Sequence, residues 1–278
     1  MMPFNIGVRA HDISANSREE LGRKLLDFGF SHIQLAVGKS FPEFAPNVTA
    51  ISSGTGHYLG DYLGKLGIKI SILGCYVNIS SPDNFVREQA IQAFQHHLSL
   101  ANQFNASVVG TETGSLGNGY TQENFTETAY CVARNSVSEL VDYAEHLGVI
   151  VGIEAGINHP LYTAELAKRL VREMASPNLK VILDCANLIS IENYQSQEKV
   201  VYQALDLLRD DICSLHLKDF IVENEQIKIV PVGTGMMKYD QILQFLKRDK
   251  PLMFASLEAT PEKNIPHALT HLAQIYDK

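Results

Sequence analysis

No pair of cysteines in this chain has metal-site or redox-site spacing. Cys75, Cys131, Cys185 and Cys213 are scattered, without a CxxC or a zinc-ribbon pattern. Isolated thiols of this kind fit a reducing cytoplasm, which is the compartment expected here. Basic charge is not in excess either. The formal net charge is -8, which argues against a nucleic-acid partner, since such binding is driven by Lys and Arg neutralising phosphates. No run approaches the roughly 18 apolar residues of a membrane span, so no membrane partner is expected. Residues 1–6 lack the basic segment and long apolar run of a secretory signal. The first strand-to-helix turn has no G-x-G-x-x-G, which disfavours a dinucleotide fold. No linker or shift in composition divides the chain, so residues 1–278 read as one domain.

What is present is an ordinary globular composition, 45% hydrophobic and 19% charged. Short β-branched or apolar runs alternate with longer amphipathic stretches. The runs at 5–8, 32–37, 69–73, 107–111, 149–154, 180–184, 212–217 and 252–258 read as buried strands, because none alternates polar with apolar. Helix starts are marked between them. Ser17 and Glu20 have capping-box spacing. Ser81 and Thr260 each precede a proline and then an acid, and Thr163 precedes Ala164 and Glu165. Gly29, Gly67 and Gly148 sit where a left-handed residue would stop a helix just before the next strand. Strand, loop, helix and glycine recur about eight times at roughly thirty to forty residues each. The expected fold is therefore α/β, a single (β/α)8 TIM barrel with a parallel sheet.

In such a barrel the strand C-termini build the active site. The last four strands each end in a group that can ligate a metal: Glu154, Asp184, His216 and Glu258. Three carboxylates and an imidazole in one layer would repel or force protonation as bare charges, and a divalent cation resolves the conflict. The bland alternative, each acid paired with a base or capping a helix, suffices for any one of them and is strained for four on consecutive strands. One imidazole with three carboxylates suits Mn²⁺, Mg²⁺, Co²⁺ or Zn²⁺.

The motifs Ile153-Glu154, Leu183-Asp184 with Asn187 and Leu188, Leu215-His216 with Lys218 and Asp219, Pro231-Val232-Gly233-Thr234-Gly235, and Leu257-Glu258 resemble the xylose isomerase-like superfamily of TIM barrels. That group includes sugar phosphate isomerases and epimerases, inosose dehydratases and the metal-dependent apurinic endonucleases (AP endonuclease family 2). The resemblance implies a sugar or sugar-phosphate isomerase or epimerase. In it Glu154 and Glu258 would bind the metal and also exchange protons with the substrate, one on each face. The cation would chelate a carbonyl and a neighbouring hydroxyl, and proton removal would pass through an enediolate. A homodimer or homotetramer is common among the resembling enzymes, while no residue pattern here specifies one. An inosose-type dehydratase on the same scaffold is the alternative; an apurinic endonuclease and a non-catalytic sugar binder stand further off.

Departures narrow this. Asn187 stands where ketose 3-epimerases and the endonucleases usually carry histidine, and an amide is a poor base and a weak ligand that can still bond a sugar hydroxyl. Only Lys218 lies near the position of an arginine found beyond the strand-seven histidine of the 3-epimerases. Lys218 is expected to contact substrate, with a rim lysine paired to Asp219 as the rival. His159 and Glu112 lie in mouth loops and are expected to meet substrate, against a plain loop histidine and a loop-capping acid. Arg9 and His11 close strand one and face a sugar hydroxyl, a phosphate or merely a salt bridge. His57, His96, His97 and His146 read as solvated helix-surface residues.

Overall fold

Parallel strands force every connection to cross from one end of the sheet to the other, and amphipathic helices make those crossings while covering the sheet. The computed structural model describes residues 5–117, 119 and 121–278; residues 1–4, read above for a signal, lie outside them. The first half runs β1 (Ile6–Arg9), α1 (Arg18–Phe28), β2 (His32–Leu35), α2 (Val37–Ser40), α3 (Ser53–Lys65), β3 (Lys69–Gly74), α4 (Asn84–Leu100), β4 (Val108–Glu112) and α5 (Glu127–Leu147). The second runs β5 (Ile150–Glu154), α6 (Ala164–Met174), β6 (Leu179–Asp184), α7 (Gln197–Leu208), β7 (Ile212–Leu217), β8 (Asp219–Glu223), β9 (Gln226–Val230), α8 (Asp240–Arg248), β10 (Phe254–Leu257) and α9 (Ile265–Tyr276). All strands but β8 and β9 close into one parallel barrel in the order β1-β10-β7-β6-β5-β4-β3-β2. This is a single (β/α)8 TIM barrel, as the strand spacing predicts. Among the described residues, no helix is long and apolar enough to cross a membrane.

Two hydrophobic layers hold the barrel. The larger lies between strands and helices; α5 shows how it is made. Ala129, Ala133, Val137, Leu140 and Ala144, three or four residues apart, are buried on one face. Burying each large apolar side chain of such a face stabilises the fold by about 1.5–3 kcal/mol. The smaller layer fills the barrel itself with Ile72, Val108 and Ile182. It leaves no room beside them: a Cβ on Gly152 would lie 2.9 Å from both Ile182 Cδ1 and Val108 Cγ1.

The helix ends follow the sequence with local shifts. Gly29, Gly67 and Gly148 take φ of 76°, 77° and 65°, and Thr163 Oγ1 caps α6 by accepting from the Leu166 N–H at 3.2 Å. Ser17 accepts from the Glu20 N–H, but the Glu20 carboxylate takes the Asn16 N–H, so the return half of the box moves by one residue. Asp83, not Ser81, caps α4. Thr260 caps nothing: its hydroxyl donates to the Glu258 carbonyl and accepts from the Val232 N–H, tying two mouth loops together. The β8–β9 hairpin was not foreseen. Its tight turn puts Asn224 and Glu225 at φ 52° and 58°, which matches the twist of paired strands.

His97 corrects a sequence expectation. It is 3% exposed, packed inside α4, with its Nδ1–H donating to the Ala93 carbonyl at 2.9 Å. His32 is fully buried between Ser71 and the Asn5 carbonyl. Burial pushes both imidazoles from 6.5 down to about 4. Between these values the unfolded chain binds protons that the folded one refuses. Their contribution is therefore complete above pH 6.5 and is lost as pH falls toward 4, by up to ~3 kcal/mol for each. The urea midpoint should drop between pH 7 and 5, and His97→Leu should make that drop shallower. An unchanged pH dependence in His97→Leu would contradict this assignment.

Candidate metal centre at the barrel mouth

Side chains two apart on a strand share a face, so whatever precedes a mouth residue by two lies directly beneath it inside the barrel. Gly152 lies beneath Glu154, Ile182 beneath Asp184, Ser214 beneath His216 and Ser256 beneath Glu258. Parallel pairing sets Asp184 beside His216 and Ser256 beside His216. This stagger brings the four mouth residues together: each of Glu154, Asp184, His216 and Glu258 offers a ligand atom, all within 4.8 Å of one another and all buried. His216 Nδ1 lies 3.2 Å from Glu154 Oε2 and 3.5 Å from Glu258 Oε1. The chain folds as expected here, bringing together four groups drawn from separate strands.

The residues fit a divalent cation on two counts. His216 Nε2 is buried with neither a hydrogen bond nor an ion pair among the described residues, which is costly for a polar atom that has no other use. The donor set, one imidazole and three carboxylates, is one that borderline-to-hard cations accept.

The bland reading of Lys218 does not hold. The lysine is neither at the rim nor paired with Asp219. Its ammonium lies 2.7 Å from Asp184 Oδ2 and 2.9 Å from Glu258 Oε2, and it donates to Asn187 Oδ1 at 3.1 Å. Asn187 in turn donates to Glu154 Oε1 at 2.6 Å. The Asn187 amide thus links Glu154 at the end of β5 to the lysine just past β7. Charge balance follows from these contacts. Burial alone would raise the Glu258 carboxyl, but His216, Lys218 and Arg9 together hold it well below the usual range. Burial works against a charged His216 as well, yet Glu258 and Glu154 lift it to about 9.

The remaining predicted residues divide. Arg9 forks onto Asp12 with contacts of 2.8 and 3.1 Å, the structural salt bridge, while its other nitrogen lies 3.8 Å from Glu258 Oε1. His159 Nδ1–H donates to the Gly114 carbonyl at 2.8 Å, and its Nε2 is 3.6 Å from Glu112 Oε2. Glu112 and His159 therefore form a pair on the β4–β5 side of the mouth. Sequence reasoning missed Gln34 and Tyr76. Gln34 is buried at the end of β2, where its amide bonds the Tyr76 hydroxyl and lies 3.5 Å from Glu258 Oε1. Burial, with Glu258, Glu154 and Glu112 nearby, raises the Tyr76 hydroxyl well above its ordinary value, so it stays a neutral donor. A cavity of about 520 Å3 lies apart from this centre, lined by Phe125, Ile157, Tyr162, Leu188 and Asn193 among others.

A family model described as a xylose isomerase-like TIM barrel matches residues 23–275. No curated protein matches the chain. Among solved structures, the probable 3-DHS dehydratase AsbF of Bacillus anthracis is 18% identical with a TM-score of 0.74, covering 99% of each chain. The 3-keto-D-glucoside 4-epimerase YcjR of E. coli is 14% identical at a TM-score of 0.73, covering 99% of this chain and 100% of that one. The IOLI protein, solved with a bound zinc atom, is 18% identical at 0.74, covering 98% of each. At these identities the likeness is one of fold.

Ligand binding only to the folded state stabilises it, by about 2.7 kcal/mol at a hundred times Kd. Mn²⁺ should raise the thermal midpoint of the wild-type protein in this way and leave that of His216→Gln almost unmoved. A shift of equal size in both proteins would place the ion elsewhere.

Proposed function

Because the chain belongs to the xylose isomerase-like TIM barrel family, we propose that it is a divalent-metal-dependent isomerase or epimerase of a small sugar, sugar phosphate or related polyol ketone. The observation that carries this reading is that Glu154 and Glu258, at the ends of strands on either side of β7 in the barrel order, both reach His216 Nδ1, at 3.2 and 3.5 Å. Two carboxylates so disposed can work on two faces of a small molecule held between them. A cation held by Glu154, Asp184, His216 and Glu258 would supply Lewis-acid polarisation of a carbonyl, making the neighbouring C–H proton easier to remove.

The two glutamates differ in their partners. Glu154 has Oε1 held by the neutral amide of Asn187, whereas Glu258 faces the cations Lys218 and Arg9. Either glutamate can take a proton from the face of the bound molecule that it meets. Return of the proton by the same glutamate gives isomerisation, and return by the other glutamate on the opposite face gives epimerisation. The Tyr76 hydroxyl, the Lys218 ammonium and the Arg9 guanidinium are donors that could meet sugar oxygens, with Glu112 and His159 on the β4–β5 side of the mouth.

The test is a screen of ketoses and their phosphates in D2O with Mn²⁺ supplied. Deuterium should enter one carbon of a substrate, and Glu154→Gln or Glu258→Gln should each slow that exchange by about a hundredfold or more. A product lighter by one water would make the enzyme a lyase. Undiminished exchange in the two glutamine variants would overturn the proton-transfer roles.

A further inference from the structure

Asp219 follows Lys218, yet its carboxylate faces away from the metal centre. It is 1% exposed, and a buried carboxylate without a cation needs strong donors. It has four. Oδ1 accepts from the Phe220 N–H at 2.8 Å and the Met237 N–H at 2.9 Å; Oδ2 accepts from the Gly233 N–H at 2.9 Å and the Gly235 N–H at 3.0 Å. The Pro-Val-Gly-Thr-Gly run at 231–235 is therefore a cradle for this one side chain. Glycine is required for the close approach: a Cβ on Gly235 would lie 2.3 Å from Asp219 Oδ1. Two residues beyond Met237, the buried Tyr239 hydroxyl donates to the Lys218 carbonyl at 2.8 Å. The carbonyl of Lys218 and the side chain that follows it are thus both held by the segment 231–239, while its ammonium reaches Asp184 and Glu258.

We infer that Asp219, the turn at 231–235 and Tyr239 are positioning groups that act through Lys218, fixing its ammonium between two ligands and so setting how tightly the centre takes a cation. This rests on the metal-centre reading above. A fixed ammonium beside Asp184 and Glu258 opposes a second cation there. Loosening the backbone of Lys218 lets the ammonium swing toward the mouth and relieves that opposition.

The experiment is a calorimetric Mn²⁺ titration of the full-length wild type, Lys218→Ala, Tyr239→Phe and the double variant, with Asp219→Asn beside them. Lys218→Ala should tighten Mn²⁺ binding by about tenfold or more. Tyr239→Phe, which removes one hydroxyl and keeps the ring, should tighten it by about threefold. In the Lys218→Ala background the same change should have no effect beyond a factor of about two. Asp219→Asn should act as Tyr239→Phe does, and the tyrosine variant decides the matter where the asparagine variant does not fold. An undiminished Tyr239→Phe effect in the absence of Lys218, or none in its presence, overturns the inference while leaving the metal centre standing. Absence of Mn²⁺ binding in every protein overturns both.

Discussion

Three carboxylates buried within reach of one another cannot all stay charged unless positive charge is held among them, and everything at the mouth of this barrel answers to that demand. Glu154, Asp184 and Glu258 converge on His216, and Lys218 reaches two of the three. Removing one partner from such a group leaves an uncompensated buried charge, which is far more destabilising than losing an exposed ion pair. The barrel accepts this cost at the place where its strands end. A few residues deeper, the interior is Ile72, Val108 and Ile182, which could not tolerate it.

The same demand explains why so much structure outside the four ligands is polar and fixed. Asn187 ties Glu154 to Lys218. Gln34 and Arg9 reach Glu258 from β2 and β1. Thr260 locks the backbone of Glu258 to the loop that also cradles Asp219. Ala259, just after Glu258, takes a φ of 49°, an unfavourable value for alanine that the surrounding hydrogen bonds enforce. The four mouth side chains are held in place by these contacts, which lowers the cost of ordering them on binding.

Much of this could be read from sequence because the strands of a parallel barrel are buried on both faces. An acid or imidazole closing an apolar run, as in Val181-Ile182-Leu183-Asp184 or Ser214-Leu215-His216, then stands out against its neighbours. The eight barrel strands fall where those runs predict, and the four mouth residues meet. What escaped has physical reasons. The β8–β9 hairpin turns on Asn224-Glu225 rather than an asparagine–glycine pair, so its turn signal is weak. Gln34 and Tyr76 carry no charge and look like ordinary strand and loop residues. His96 and His97 both look like surface histidines in a helical stretch, yet His97 faces the core and His96 is half-buried with its Nε2 on the Ile51 carbonyl, contacts that the local sequence does not encode. The place of Lys218 depends on a turn closed from a dozen residues downstream, a contact that no local pattern encodes.

The central claim is that these groups tolerate their crowding because they are built to surround one ion. Anomalous diffraction from crystals grown with Mn²⁺ tests it most directly. The account predicts a single peak at the barrel mouth, about 2.0–2.3 Å from atoms of Glu154, Asp184, His216 and Glu258, with the Lys218 ammonium moved off the two carboxylates. A mouth without a peak, its carboxylates still closed on Lys218 at saturating Mn²⁺, would contradict it.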